Sequence, residues 1–242
     1  MKWTQIIRFK ALLFLILLVM ANVDAQNAYS VKTPIRISHL DTDFPETSLD
    51  NASWQKAPDV VTGTYWSGAA ASAGRQFKTK LLWSNTALYV RFEATRAEPL
   101  IVSENPDLTK KTMGLWERDV CEIFIAPDRS LPNRYFEFEV APTGEWVDLG
   151  IKIKGEKRET DQGYSSGMLS AAKIEKDKVV MVIKVPWAAF GKNPAKGDVW
   201  AGNLFRCVGQ GPERGYLAWR PTKTAKPNFH VPSAFGELLF AG

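Results

Sequence analysis

Two short segments each place an aromatic ring in a polar loop directly before a predicted strand. They are residues 115–125 (LWERDVCEIFI) and residues 227–236 (PNFHVPSAFG). Loops run over the protein surface, so core packing explains these rings poorly. Surface aromatics beside polar side chains are how proteins hold flat, partly apolar ligands, and the two segments therefore predict the two sides of one binding site.

The residue types suit a sugar ring. A pyranose has C–H bonds on its faces and hydroxyls on its edges, so its site needs a ring against the face and polar groups at the edge. Trp116, flanked by Glu117 and Arg118, is predicted to stay exposed and to stack. The alternative is that Trp116 only closes the end of the fold.

Glu122 lies between Cys121 and Ile123 in an otherwise apolar strand. A carboxylate in such a place needs partners, either ligand hydroxyls or a protein cation such as Arg206 or Arg91. The residues alone leave both interpretations open.

Period-two alternation runs through most of the chain and predicts an all-β, antiparallel two-sheet sandwich. Residues 78–83 and 87–93 form a predicted hairpin, and Phe136, Phe138 and Val140 are predicted to face inward, with Glu137 and Glu139 on the other face. Further strands are predicted at residues 147–154, 168–174, 179–185, 200–208, 216–219 and 237–240. Single helical turns are predicted at residues 53–56 and 186–190.

From about Leu40 to the C-terminus, these motifs and their order resemble the family 9 carbohydrate-binding modules. The resemblance implies a jelly-roll or immunoglobulin-like sandwich related to DOMON domains, and a single non-catalytic domain over residues 26–242. It also implies that the protein binds mono- or oligosaccharide ends between two aromatic rings. Residues 50–58 resemble the opening segment of the family, in which Trp54 would be buried for structural reasons.

The resemblance also implies roles for individual residues. Trp116, Asp119 and Glu122 match the spacing of the family's stacking tryptophan and the carboxylates that follow it. The second ring falls on Phe229, where family members carry Trp, and a smaller ring predicts a weaker or differently shaped site. The alternative for Phe229 is a plug under Trp219.

Polar contacts to the sugar are predicted from Asn228 and His230 in the second loop. Family modules often carry an Arg on the strand that here holds glutamates, so the local charge is reversed. Arg206 or Arg220 is predicted to supply the missing cation, because a guanidinium offers five donors.

Two other functions stay open. The relation to DOMON domains keeps a haem or redox role in view, with Met113, Met168, Met181 and His230 as candidate axial ligands. A glycoside hydrolase would need two carboxylates flanking the scissile bond, for which Glu122 with Glu139 or Asp119 are candidates.

No cofactor is expected. The resemblance leaves structural calcium open, with Asp41, Asp43 and Asp148 as candidate ligands, although no loop has the spacing of a calcium motif. Cys121 and Cys207 lie in predicted strands, and whether they form a disulfide stays open.

Residues 1–25 have a basic start, an apolar run at residues 11–20 and a small residue before Gln26, the pattern of a cleavable signal peptide. The run is too short for a membrane anchor, so a periplasmic or secreted protein is predicted, accessory to polysaccharide use. The formal charge of +5 falls to +3 when residues 1–25, with three basic residues and one acidic residue, are removed. This mild excess, without a basic-aromatic groove, argues against nucleic acid.

Overall fold

Alternating polar and apolar residues produce thirteen strands over residues 33–242, the part of the chain that the computed structural model describes. The strands are β1 (Ile35–His39), β2 (Val60–Thr62), β3 (Phe77–Trp83), β4 (Ala87–Thr95), β5 (Val120–Ala126), β6 (Arg134–Val140), β7 (Trp146–Lys154), β8 (Lys157–Asp161), β9 (Leu169–Ile174), β10 (Lys178–Pro186), β11 (Val199–Val208), β12 (Gly215–Ala218) and β13 (Gly236–Phe240). Single 3₁₀ turns occur at Ala52–Lys56, Ala73–Arg75, Leu115–Glu117, Trp187–Phe190, Gly211–Glu213 and Pro232–Ala234. The predicted signal peptide, residues 1–25, lies outside the described residues.

The strands form two sheets that share β1. The first sheet has the order β8-β7-β6-β5-β11-β13-β1, with β12 added to β11, and the second has the order β1-β3-β4-β10-β9, with β2 added to β3. β1 pairs in parallel with β13 and β3, and the other pairings are antiparallel. The predicted all-β, two-sheet sandwich is therefore confirmed, with two parallel pairings that the sequence did not predict.

The main core lies between the sheets. Ile123 and Phe138 of the first sheet and Val90 and Ile183 of the second are all fully buried in it. Period-two alternation makes the inner face of each sheet apolar. Burying a side chain of this size stabilises a fold by about 1.5–3 kcal/mol, so contact between the two apolar faces holds the sheets together.

The outer face of each sheet carries its own apolar cluster. On the second sheet, residues 40–57 cover Leu82 and Tyr89, and Trp54 is buried there with its ring 5.5 Å from that of Phe44. This is the structural position predicted for Trp54. On the first sheet, Phe124 and Phe205 lie in a cluster that two loops cover, and the candidate site forms on this face.

Strands β1, β2 and most of β8 were not predicted. β2 has only three residues, and β8 follows β7 through a tight turn at Gly155, with charged residues at both ends. Lysines on such a free edge strand discourage pairing with other chains.

Across the described part of the chain, no helix is long and apolar enough to cross a membrane.

A long connection, residues 96–119, joins β4 to β5 and carries Trp116. Lys111 fixes this connection to β7: its Nζ lies 2.6 Å from Asp148 Oδ1 and donates to the carbonyls of Asp148, Gln162 and Tyr164. Asp148 is fully buried and also accepts a hydrogen bond from the Ser166 amide at 2.6 Å. A buried ion pair therefore determines where the loop crosses the sheet.

Replacing Lys111 with Met should lower the free energy of unfolding by about 3 kcal/mol, because it leaves the buried Asp148 carboxylate without its cation. Chemical denaturation measures this loss. Lys110→Met is the matched control, since Lys110 is 76% exposed and pairs only with Asp107, and it should change stability by less than about 1 kcal/mol. Equal losses in the two variants would contradict the anchoring role.

Candidate functional site

Strands β5 and β6 supply the floor of the site. Alternation on β5 turns Cys121 and Ile123 into the main core, whereas Val120, Glu122 and Phe124 face outward. The outward residues of the neighbouring strand β6 are glutamates. In the antiparallel register Glu139 lies opposite Glu122, and Glu137 lies opposite Phe124.

Above this floor is a pocket of about 330 Å³, which we call the Trp116 pocket. It is lined by Trp116, Glu117, Glu122, Phe124, Glu137, Leu149, Arg158, Thr160, Gln162, Cys207, Tyr216, Pro227, Asn228, Phe229 and His230. The two predicted aromatic loops therefore meet at one pocket, although they lie far apart in the sequence.

Trp116 is held at the pocket by its own short turn. Gly114 has a φ of +80°, which glycine adopts without strain, and it starts the turn Leu115–Glu117. Leu115 is fully buried and anchors the turn, while Trp116 is only partly buried. This arrangement places part of the indole at the pocket, and stacking of Trp116 on a sugar stays a prediction.

Arg214 stabilises the same turn from the other side. Its guanidinium donates to the carbonyls of Trp116, Glu117 and Arg118, the last at 2.9 Å, and packs over the Tyr216 ring at 5.4 Å. Charge-assisted hydrogen bonds are the strong ones, so Arg214 fixes the backbone that carries the indole.

Phe229 is the second ring, and it is more buried than predicted. It is 8% exposed and stacks on Phe205, with ring centres 4.1 Å apart and planes 12° from parallel. It does not plug the space under Trp219, whose ring packs against the Arg220 guanidinium at 4.2 Å. One face of Phe229 is occupied by Phe205, so a ligand can meet only its other face or its edge.

Asn228 and His230 flank Phe229 in the pocket wall. The Asn228 side chain accepts a hydrogen bond from the His230 amide at 3.0 Å, which fixes the loop. His230 Nδ1 lies 2.9 Å from the Tyr135 hydroxyl, and its Nε2 lies 3.9 Å from Glu137 Oε2. Burial, helped by the charge of Arg158, lowers the pKa of His230 to about 3, so the ring is neutral at ordinary pH.

Burial also has the largest effect on the pKa values of the carboxyl groups in the floor, those of Glu122, Glu137 and Glu139. It raises the pKa of Glu122 and of Glu139 well above the usual range, and the neighbouring carboxylates add to this effect. The pKa of Glu137 is raised by burial as well. Glu122 accepts a hydrogen bond from the Cys207 thiol at 3.5 Å, and neither Arg206 nor Arg91 pairs with it. The internal salt bridge considered for Glu122 is therefore wrong.

Arg206 and Arg220 do not line the pocket. Arg206 faces the other side of β11, where its guanidinium donates to the carbonyls of Arg75, Gln76 and Thr95 at 2.6–3.1 Å. Arg220 packs on Trp219. The geometry thus brings together Trp116, Glu122, Asn228, Phe229 and His230 but not these two cations.

The cysteines face opposite sides of the first sheet. Cys121 lies in the main core, and Cys207 lies in the outer cluster where it lines the pocket. Both are free thiols. The pattern of their strands, read as alternation, would have placed them on different faces.

The structure separates the other candidate ligand sets. Met168 and Met181 are buried in the main core, Met113 is 42% exposed, and His230 lines the pocket, so these residues do not surround one haem-sized space. Asp119 accepts a hydrogen bond from the Gly209 amide at 2.8 Å and is not in the pocket. Glu139 is fully buried and cannot reach a glycosidic bond as a partner of Glu122.

Asp41, Asp43 and Asp148, the candidate calcium ligands, do not form a cluster. Asp148 is paired with Lys111, Asp41 lies near Lys56, and Asp43 accepts a hydrogen bond from Thr86. Within residues 33–242, the one group of three acidic side chains close enough to share a metal ion is Glu122, Glu137 and Glu139.

Sequence reasoning missed several pocket residues. Tyr216, Arg158, Thr160 and Gln162 reach the pocket from β12, β8 and the turn after β8. The sequence signal for Tyr216 was present, because its strand was predicted. No local pattern identifies the β8 residues, since their place depends on the β7–β8 hairpin folding back along the sheet.

Residues 47–242 match the family described as carbohydrate family 9 binding domain-like. The chain belongs to this family. No curated protein is similar enough in sequence to be matched.

Solved structures of family 9 modules share the fold. A family 9 module from Caldicellulosiruptor kristjanssonii, in complex with cellotriose, is 18% identical, with a TM-score of 0.60 over 86% of this chain and 94% of that one. Its glucose complex gives 0.62 at 18% identity, over 87% and 96%. A candidate carbohydrate-binding protein from Bacteroides uniformis gives 0.68 at 17% identity, over 86% and 99%.

Arg214→Met should loosen the Trp116 turn of this family member, because three carbonyls lose a charged donor at once. Hydrogen bonds to charged groups contribute about 1.5–3 kcal/mol, so the amides of Glu117 and Arg118, which bond within the turn, should exchange at least about tenfold faster. Hydrogen exchange measures this. Arg129→Met, at an exposed ion pair with Glu237, is the control. Unchanged exchange at residues 114–119 would contradict the positioning role.

Proposed function

We propose that this protein binds the end of a saccharide non-covalently in the Trp116 pocket. The observation that carries the proposal is the convergence of Trp116 and Phe229, from two distant loops, on one pocket with polar walls. A volume of about 330 Å³ is at the lower end of the range of about 300–1,000 Å³ for small-molecule sites, which favours one sugar ring over a long chain.

The geometry supports a division of roles. The partly buried indole of Trp116 offers a face for the C–H side of a pyranose, and Phe229 offers a smaller apolar surface in the same pocket. Glu122 and Glu137 line the floor and can accept hydrogen bonds from sugar hydroxyls. Asn228 and His230 add amide and imidazole groups at the edge of the pocket.

Membership of the family and the sugar complexes of its relatives support the same function. Relatives of this fold bind cellotriose and glucose, which makes glucose and cello-oligosaccharides the first ligands to test. Because Phe229 is packed on Phe205, its contribution to stacking should be smaller than that of Trp116.

Trp116→Ala should weaken saccharide binding by about 1–3 kcal/mol, or roughly 5- to 150-fold in Kd, because it removes one large stacking surface. Isothermal titration calorimetry against glucose, cello-oligosaccharides and a panel of other mono- and oligosaccharides measures this change. Leu131→Ala removes a 45% exposed side chain outside the pocket and serves as control. A wild-type protein that binds no saccharide, or equal affinities of wild type and Trp116→Ala, would refute the proposal.

We also propose that the protein is exported and acts as an accessory to polysaccharide use, since residues 1–25 have the features of a cleavable signal. Expression of the full chain in a secreting bacterial host should yield a periplasmic or secreted protein that begins at Gln26. N-terminal sequencing after cell fractionation checks this. Full-length protein retained in the cytoplasm would contradict export.

A further inference from the structure

The floor of the Trp116 pocket concentrates three glutamates on one face of two paired strands. Glu122 and Glu139 lie directly opposite each other, and Glu137 is two residues before Glu139 on the same face. One carboxylate oxygen of each residue lies within 4.8 Å of one oxygen of each of the other two, and the three residues are 2%, 4% and 0% exposed in chain order. Like charges directly opposite in a sheet destabilise the pairing, so these carboxyls hold protons, as their raised pKa values favour, unless a cation shares the site.

The protein supplies little compensation. Both oxygens of Glu139 and Oε2 of Glu137 are buried without a hydrogen-bond partner. Throughout residues 33–242, no lysine or arginine nitrogen forms an ion pair with any of the three, and the nearest groups to the Glu137 carboxyl are the neutral His230, at 3.9 Å, and the neighbouring Glu139 carboxyl. Buried polar groups are normally hydrogen-bonded and buried charges are normally paired or bound to metal.

We propose that Glu122, Glu137 and Glu139 bind one divalent cation of the size of Ca²⁺ at the floor of the pocket. Carboxylate oxygens are hard ligands, which Ca²⁺ and Mg²⁺ prefer over softer donors. Two oxygens bound to Ca²⁺ at about 2.3–2.6 Å can be up to about 5.2 Å apart, whereas about 4.2 Å is the limit for Mg²⁺. One oxygen from each residue, all within 4.8 Å of one another, can therefore share a Ca²⁺ ion. Three carboxylates suit Ca²⁺ better than Mg²⁺, which is usually bound by one or two carboxylates and several waters.

The cation can reach this site from the pocket, and once bound it can contact a ligand in the pocket. Glu122 and Glu137 line the pocket, so the cation can enter from solvent, and Glu139 closes the site from behind. Ca²⁺ takes six to eight oxygen ligands, and three carboxylates leave positions directed toward the pocket. If the proposed function is right, sugar hydroxyls can occupy those positions, and this last step alone rests on it.

Calorimetric titration of Ca²⁺ into chelator-treated protein, in the absence of sugar, tests the site. We expect one saturable Ca²⁺ per chain, an increase in Tm with Ca²⁺, and weaker binding of Mg²⁺. Glu139→Gln and Glu137→Gln should each weaken Ca²⁺ binding by at least about tenfold and reduce the increase in Tm, because each removes a charged ligand. Glu156→Gln, in the exposed turn between β7 and β8, is the matched control and should leave both unchanged.

The absence of Ca²⁺ binding at millimolar concentration would overturn the inference, as would binding that neither floor variant weakens. Having two variants keeps the test decisive if one of them fails to fold. Saccharide titrations in chelator test the proposed function separately. A protein that binds sugar but no Ca²⁺ refutes only the cation site, and one that binds Ca²⁺ but no sugar refutes only the carbohydrate role.

Discussion

The register of β5 against its two neighbours determines both the core and the pocket. Glu122 lies opposite Glu139 on β6 and opposite Phe205 on β11, so all three side chains face the outer surface of the first sheet. The same register turns Ile123 and Phe138 into the core between the sheets. A slip of one residue would move Glu122 into that core and Ile123 into the pocket, because strand side chains alternate with a period of two. The burial of the core residues therefore holds the site residues in place.

Basic side chains also stabilise the fold by donating hydrogen bonds to backbone carbonyls, most of them in irregular segments. Lys80 donates to the carbonyls of Trp54 and Ala57, and Lys111, Arg206 and Arg214 each donate to three backbone carbonyls, most of them outside the strands. Buried loop carbonyls must find donors, and a fold built from strands and short turns leaves many of them outside the ladders. The Lys and Arg residues that make these hydrogen bonds account for part of the mild positive charge of the chain, which shows no nucleic-acid-binding pattern.

The sequence predicted what depends on local alternation and missed what depends on long-range pairing. The inward face of Phe136, Phe138 and Val140 follows from spacing alone, and spacing also places Glu122 on the face opposite Cys121 and Ile123. The orientation of Arg206 follows from the same rule: Phe205 and Cys207 face the pocket side, so Arg206 must face the other. The prediction that Arg206 binds the sugar did not take account of the alternation along its own strand, β11. By contrast, nothing local shows that Thr160 and Gln162 reach the pocket, because the fold-back of the β7–β8 hairpin places them there.

The site divides into a rigid floor and two walls of different character. Glu122, Phe124 and Glu137 lie on central strands, so their positions are fixed by the sheet. Trp116 lies on a loop whose backbone Arg214 binds, whereas the wall with Phe229 depends on apolar stacking against Phe205. Selectivity for a particular sugar should therefore depend mainly on the walls, where loop sequence can change without altering a strand register. Changes in the floor residues also alter sheet pairing. Buried carboxylates without partners destabilise the fold, so the floor glutamates are the site residues whose presence most requires a bound ligand.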